Sequence, residues 1–165
     1  MAPTQSDRRG ETKKGDQVNY SEGAVGRVFV LRLEDGEILN DTLEAFARDK
    51  ALSRALAFYL GGSADGSRVV VGPKAGTDAI VPLVHVLAGS REVLALGTLF
   101  PNEAGEPVLH MHAAAGREGD ATVGCTRTGL STWLVGEVVL LEILGTDARR
   151  VEDPATGFGL LQASV

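Results

Sequence analysis

Two histidines and the single cysteine of this 165-residue chain fall within one short stretch. The residues are His110 and His112 in Gly105-Glu106-Pro107-Val108-Leu109-His110-Met111-His112, and Cys125 in Val123-Gly124-Cys125-Thr126-Arg127. Side chains two apart on an extended strand project to the same face, so His110 and His112 point together. Imidazole and thiolate are both preferred zinc ligands, and three such ligands leave a fourth position open for water or substrate. If 107–115 and 121–127 form a hairpin around 116–120, His112 faces Gly124 or Cys125. A register that pairs His112 with Cys125 unites all three ligands. A slip of one residue turns Cys125 to the other side and dissolves the site.

Other chemistry is open to the same residues. Cys125 activated by His110 or His112 could attack a carbonyl carbon. A half-exposed histidine pair beside an inert core cysteine would need no ligand at all. Thr126, Arg127 and Thr128 could orient an anionic ligand, or Arg127 could simply pair with one of the many carboxylates. His85, in Val84-His85-Val86, is a weaker pocket candidate on a sheet face.

These residues need a framework. A chain of this length is one domain with room for a proper core. Hydrophobic residues at 44% and charged residues at 23% are ordinary globular values, while 21 glycines point to many turns. The net charge of −6 gives no general attraction to nucleic acid phosphates. One cysteine cannot close an intrachain disulfide, which fits a reducing compartment. Apolar runs such as Val138-Val139-Leu140-Leu141 are too short to cross a bilayer. With no apolar secretory segment at the start, the expectation is a soluble cytoplasmic protein.

Along the chain, residues 1–22 read as a flexible polar arm, in which Arg8-Arg9 and Lys13-Lys14 are solvated cations among acids. A first strand, 26–33, ends at Glu34-Asp35-Gly36. Leu39, Leu43, Phe46 and Ala47 then recur at helical spacing, predicting a helix over Ile38 to Lys50. Strands are expected at 56–60 (stopped by Gly61-Gly62), 67–71, 81–87 and 92–100. The two hairpin arms follow, and a long strand runs from Thr132 to Ile143. Eight strands joined by tight loops against one helix predict an α+β fold, its largely antiparallel sheet covered on one face. The domain is expected to span 23–147, with an irregular tail over 148–165 packed on it or extending it.

The ordered motifs resemble the plants-and-prokaryotes conserved domain, also called domain of unknown function 296. They are Gly26-Arg27-Val28-Phe29, Asp35-Gly36-Glu37, Gly61-Gly62, Gly97-Thr98, the Gly105 to His112 element and Glu137, and the resemblance covers about 24–145. It implies an α+β domain that assembles as a homotrimer, carried in plants beside AT-hook DNA-binding motifs. Stand-alone prokaryotic members bear a DNA-binding label by analogy. It also implies a three-histidine cluster, in which Val123-Gly124-Cys125-Thr126 here replaces a Gly-Gly-His-Leu element. Cysteine for histidine keeps zinc possible. No Arg-Gly-Arg-Pro core occurs, so the arm that would enter the minor groove is missing from this sequence. The expected function is a homotrimeric binding or regulatory module with a His110/His112/Cys125 zinc site. The alternative is a small metal-dependent enzyme or ligand sensor, with Glu137 or Glu106 as general base.

Overall fold

Burial alternates along most strands, so that one face of each is turned into the core. In Pro107–Arg117, Leu109, Met111, Ala113 and Ala115 are buried while His110 and His112 are exposed. The computed structural model describes residues 18–76 and 80–163. The strands are β1 (Ala24–Glu34), β2 (Ala55–Ser63), β3 (Arg68–Pro73), β4 (Pro82–Val86), β5 (Arg91–Pro101), β6 (Pro107–Arg117), β7 (Asp120–Cys125), β8 (Thr132–Leu144), β9 (Arg149–Glu152) and β10 (Gly159–Gln162). The helix is α1 (Leu39–Asp49), and a 3-10 turn spans Thr126–Thr128.

Eight strands form one sheet in the order β1-β8-β2-β5-β6-β7-β3-β4, every pairing antiparallel. This is the predicted α+β architecture. Leu39, Leu43 and Ala47 of α1 are fully buried with Leu33, Tyr59, Leu99, Met111, Val138 and Leu140 of the sheet. Phe46 meets Phe29 edge-on, ring centroids 5.4 Å apart. Asp41 in the first turn and Arg48 in the last suit the helix dipole.

Among the described residues, no helix covers the other face of the same sheet. Val28, Val30, Phe58, Leu60, Leu94, Leu96 and Val123 are exposed, Val30 at 79% and Leu94 at 61%. Register places them in rows: His112 stands beside Leu96, Phe58, Val139 and Val30 in successive strands. The histidine pair therefore lies at the border of a broad apolar surface.

Several local expectations are corrected. β2 does not stop at Gly61-Gly62 but runs on to Ser63 through a bulge. The β6–β7 connection is not a five-residue loop: Arg117 pairs with Asp120, leaving the two-residue turn Glu118-Gly119, with φ of 54° and 90°. Thr126 and Arg127 belong to the 3-10 turn and not to a strand. The C-terminal tail is not irregular, since β9 and β10 pair as an antiparallel hairpin. The basic residues Arg8, Arg9, Lys13 and Lys14 lie outside the described residues. Among those described, no helix is long and apolar enough to cross a membrane.

Candidate metal centre

The register is the one the site requires. His112 pairs directly with Cys125 across β6 and β7, so their side chains leave the same face. His110 follows one residue pair further along β6. Ligand atoms of His110, His112 and Cys125 all lie within 4.8 Å of one another. The two Nε2 atoms are 3.2 Å apart.

That spacing suits a shared ion. Two nitrogens bound to one tetrahedral zinc at about 2.0–2.1 Å are roughly 3.3 Å from each other. Without an ion, the same distance accommodates one N–H···N hydrogen bond, which needs a donor on one ring and an acceptor on the other. Burial holds the His110 pKa below the usual imidazole value, helped by Arg150 and Arg127. Burial likewise lowers that of His112, followed by the influence of His110 and Arg127. Both shifts favour the neutral ring, the form that ligates metal.

Beyond His112, β6 loses its β7 neighbour, because the pairing ends at His112–Cys125. Side chains replace the missing strand. Asn40 Nδ2 donates to the Leu109 carbonyl at 3.2 Å, and Leu109 N–H donates to Glu44 Oε1 at 2.9 Å. Thr126 Oγ1 donates to Asn40 Oδ1 at 2.6 Å and lies 3.2 Å from the Met111 carbonyl. The start of α1 on the Leu109 side, and Thr126 on the Met111 side, thus fix the backbone around His110. Two glycines let the strands close: a Cβ on Gly97 would lie 2.5 Å from Met111 Cβ and 2.7 Å from the His110 carbonyl. One on Gly124 would lie 2.7 Å from the Val70 carbonyl.

The cluster opens into a cleft of about 1110 Å³ that includes His110, His112, Cys125, Arg127, Arg150 and Phe158. Arg127 stands over the Phe158 ring, 6.0 Å from its centroid. Other predicted residues are placed elsewhere. Thr126 is fully buried and spends its hydroxyl on the framework. His85 pairs with Val69 on β4 and faces away from Cys125, whose row contains Val70. Glu137 shares the open face but stands on β8, separated from β6 by β2 and β5, roughly 14 Å away. Glu106 lies 3.8 Å from Arg48 at the surface.

Sequence reading missed Asn40, Glu44 and Arg150. Arg150 arrives on the hairpin that was expected to be irregular tail. The signal was present: Asp153-Pro154-Ala155-Thr156-Gly157 is a turn sequence between two short β-prone runs.

Comparison with known proteins places the chain. It is 31% identical over 134 residues to the Bifunctional protein GlmU of Synechococcus sp. (strain JA-3-3Ab), covering 80% of this chain and 20% of that protein. The chain therefore spans about a fifth of the length of the curated relatives it matches. A metal-containing protein from Archaeoglobus fulgidus superposes with a TM-score of 0.74 at 23% identity, covering 87% of this chain and 97% of the other. A plant- and prokaryote-conserved protein from Pyrococcus horikoshii gives 0.71 at 23%, covering 90% and 98%. A candidate DNA-binding protein from Ralstonia eutropha JMP134 gives 0.63 at 20%, covering 80% and 88%. The profile of the Plants and Prokaryotes Conserved (PCC) domain matches residues 20–144, the span that holds the whole sheet, the helix and the cluster. The chain belongs to the Plants and Prokaryotes Conserved domain family.

Proposed function

We propose that this chain is a homotrimeric binding or regulatory module that holds a zinc ion on His110, His112 and Cys125. The observation that carries the metal assignment is the convergence of three ligand atoms within 4.8 Å on one sheet face. The donor set supports it: two imidazoles biased to the neutral form and a thiol able to ligate as thiolate. The metal-containing description of the Archaeoglobus fulgidus relative agrees with it. When bound, zinc would supply Lewis acidity and an acidified water at its fourth position. A reducing, cytoplasmic setting keeps the Cys125 thiol free to ligate.

Assembly is argued from the uncovered face. Exposed Val, Leu and Phe side chains stand in rows across β1, β2 and β5, a contiguous apolar surface of the kind that marks an interaction site. Copies of the chain would cover it, and a trimer is the arrangement the family resemblance implies.

A second reading is favoured by the cleft beside the cluster: a small metal-dependent enzyme or a sensor for a small anionic ligand, with Arg127 at the mouth. Neither Glu106 nor Glu137 stands in that cleft, so this reading has no carboxylate base from the expected pair. The DNA-binding description of structural relatives is not extended to this chain. A net charge of −6 opposes phosphate contacts. Elemental analysis after zinc loading tests the central reading. One zinc per chain, lost in His112→Ala, supports it, and a wild type without stoichiometric metal ends it. Sedimentation equilibrium tests the trimer.

A further inference from the structure

Arg150 is the second cation at the cluster, and it is the more constrained. It is 93% buried (7% exposed), yet among the described residues no carboxylate lies within ion-pairing distance. Its Nη2 donates to Thr98, at 3.1 Å to Oγ1 and 3.4 Å to the carbonyl oxygen. Nε is buried with no hydrogen-bond partner among the described residues. Thr98 pairs directly with His110, so the guanidinium is held over the open face beside the first histidine. Burying a cation is costly, and such groups are ordinarily paired; the opposite charge that acts on this one is that of Cys125, itself a candidate metal ligand.

The metal centre and its two arginines, counted on their own, are net positive. A divalent ion adds two positive charges, the Cys125 thiolate removes one, and two neutral imidazoles add none. Arg127 and Arg150 bring the total to +3, with no carboxylate paired to either arginine among the described residues. Asp41, Glu44, Glu103 and Glu152 also line the cleft. Glu44 accepts from Leu109 N–H, and Glu103 accepts from Glu152 N–H at 3.4 Å. The element carrying Arg150 is also distinctive, since β9 and β10 lie beyond the 20–144 span matched by the family profile.

We propose that the C-terminal hairpin builds an oxyanion subsite onto the His110/His112/Cys125 centre. Arg150, aligned by Thr98, binds one oxygen of a small carboxylate or phosphate, with Arg127 closing the other side. This rests on the metal reading and names the class of ligand that the centre takes. The hairpin is then a specificity element: it selects ligands that carry an oxyanion next to the metal.

The test uses the full chain loaded with cobalt(II), whose visible bands report the coordination of a tetrahedral thiolate site. Malonate and inorganic phosphate are titrated separately, and responses are compared at full cobalt loading. The wild type is expected to show a saturable band shift with at least one of the two. Arg150→Gln should weaken that oxyanion by about tenfold or more, the size expected for losing a charged hydrogen-bond donor. Because Arg150 is buried, Arg150→Lys and Thr98→Val are measured alongside. Lysine should restore part of the affinity, and Thr98→Val should weaken binding severalfold by releasing the guanidinium. Cobalt bound without any shift from either anion overturns the subsite alone. So does a shift of unchanged affinity in Arg150→Gln, or in Thr98→Val should the glutamine variant fail to fold. A wild type that takes up no cobalt overturns the metal reading, and the subsite falls with it.

Discussion

The two faces of the central sheet are made by the same strands and obey opposite rules. On the helix side, alternate residues of β2, β5, β6 and β8 (Tyr59, Ala95, Met111, Val138) are almost completely buried with Leu39 and Leu43 of α1. On the other side their immediate neighbours, Phe58, Leu60, Leu94, Leu96 and His112, stand at the surface. One face therefore holds the fold of a single chain. The other, equally apolar over much of its area, holds none of it and carries the chemistry at its border. The difference separates stability from function by a period of two residues.

Mutations on the two faces should break in different ways. Met111→Ala removes a fully buried side chain beneath the histidines and should destabilise the fold by about 2–5 kcal/mol. Chemical denaturation measures this, and a loss below about 1 kcal/mol would show that the helix-side core is not packed as described. Asn40→Ala comes next. It strips partners from the Leu109 carbonyl and the Thr126 hydroxyl, for a cost of about 1–3 kcal/mol. Zinc affinity should fall with it, because both groups fix the backbone around His110. Unchanged affinity in a destabilised Asn40→Ala protein would separate the helix from the site.

A smaller, pH-dependent effect sits at the far edge of the sheet. Hydrogen bonds from the Arg27 side chain and backbone N–H hold the Glu142 carboxyl at about 2, below its ordinary 4.5. A carboxyl depressed in the folded state stabilises above its unfolded value and loses that contribution as pH falls through the folded one. Thermal melts should therefore show a stability decline between about pH 4.5 and about 2 that is reduced in Glu142→Gln. Identical pH profiles for the two proteins would remove the pair from the account.

The smallest effect on the single chain should come from the open face. Leu96→Gln changes an exposed residue, so chain stability should move by less than about 0.5 kcal/mol. Self-association, read by sedimentation, should weaken instead. A large loss of monomer stability with assembly untouched would reverse the roles of the two faces.

Much of this division was legible in the sequence. His110-Met111-His112 within Leu109 to Ala113 gives both the strand and its exposed face, and the 3.6-residue recurrence of Leu39, Leu43, Phe46 and Ala47 locates the helix. The His112–Cys125 pairing was readable as one of two registers, and Gly124, where a Cβ would press on the Val70 carbonyl, suits the observed one. What escaped depends on contacts distant in sequence. Asn40 lies 69 residues from Leu109 and 86 from Thr126, and its role exists only because β7 ends before β6 does. Thr126 was read as a ligand contact, but the 3-10 turn points its hydroxyl into the framework. For Arg150 the turn at 153–157 was legible, but a four-residue strand offers too little periodicity to show which way its side chains face.

The most direct test of the central claim is zinc K-edge X-ray absorption on the zinc-loaded wild-type chain. The account predicts one sulfur at about 2.3 Å with nitrogen or oxygen neighbours at about 2.0–2.1 Å, the sulfur shell vanishing in Cys125→Ser. A wild-type spectrum with no sulfur shell would contradict it.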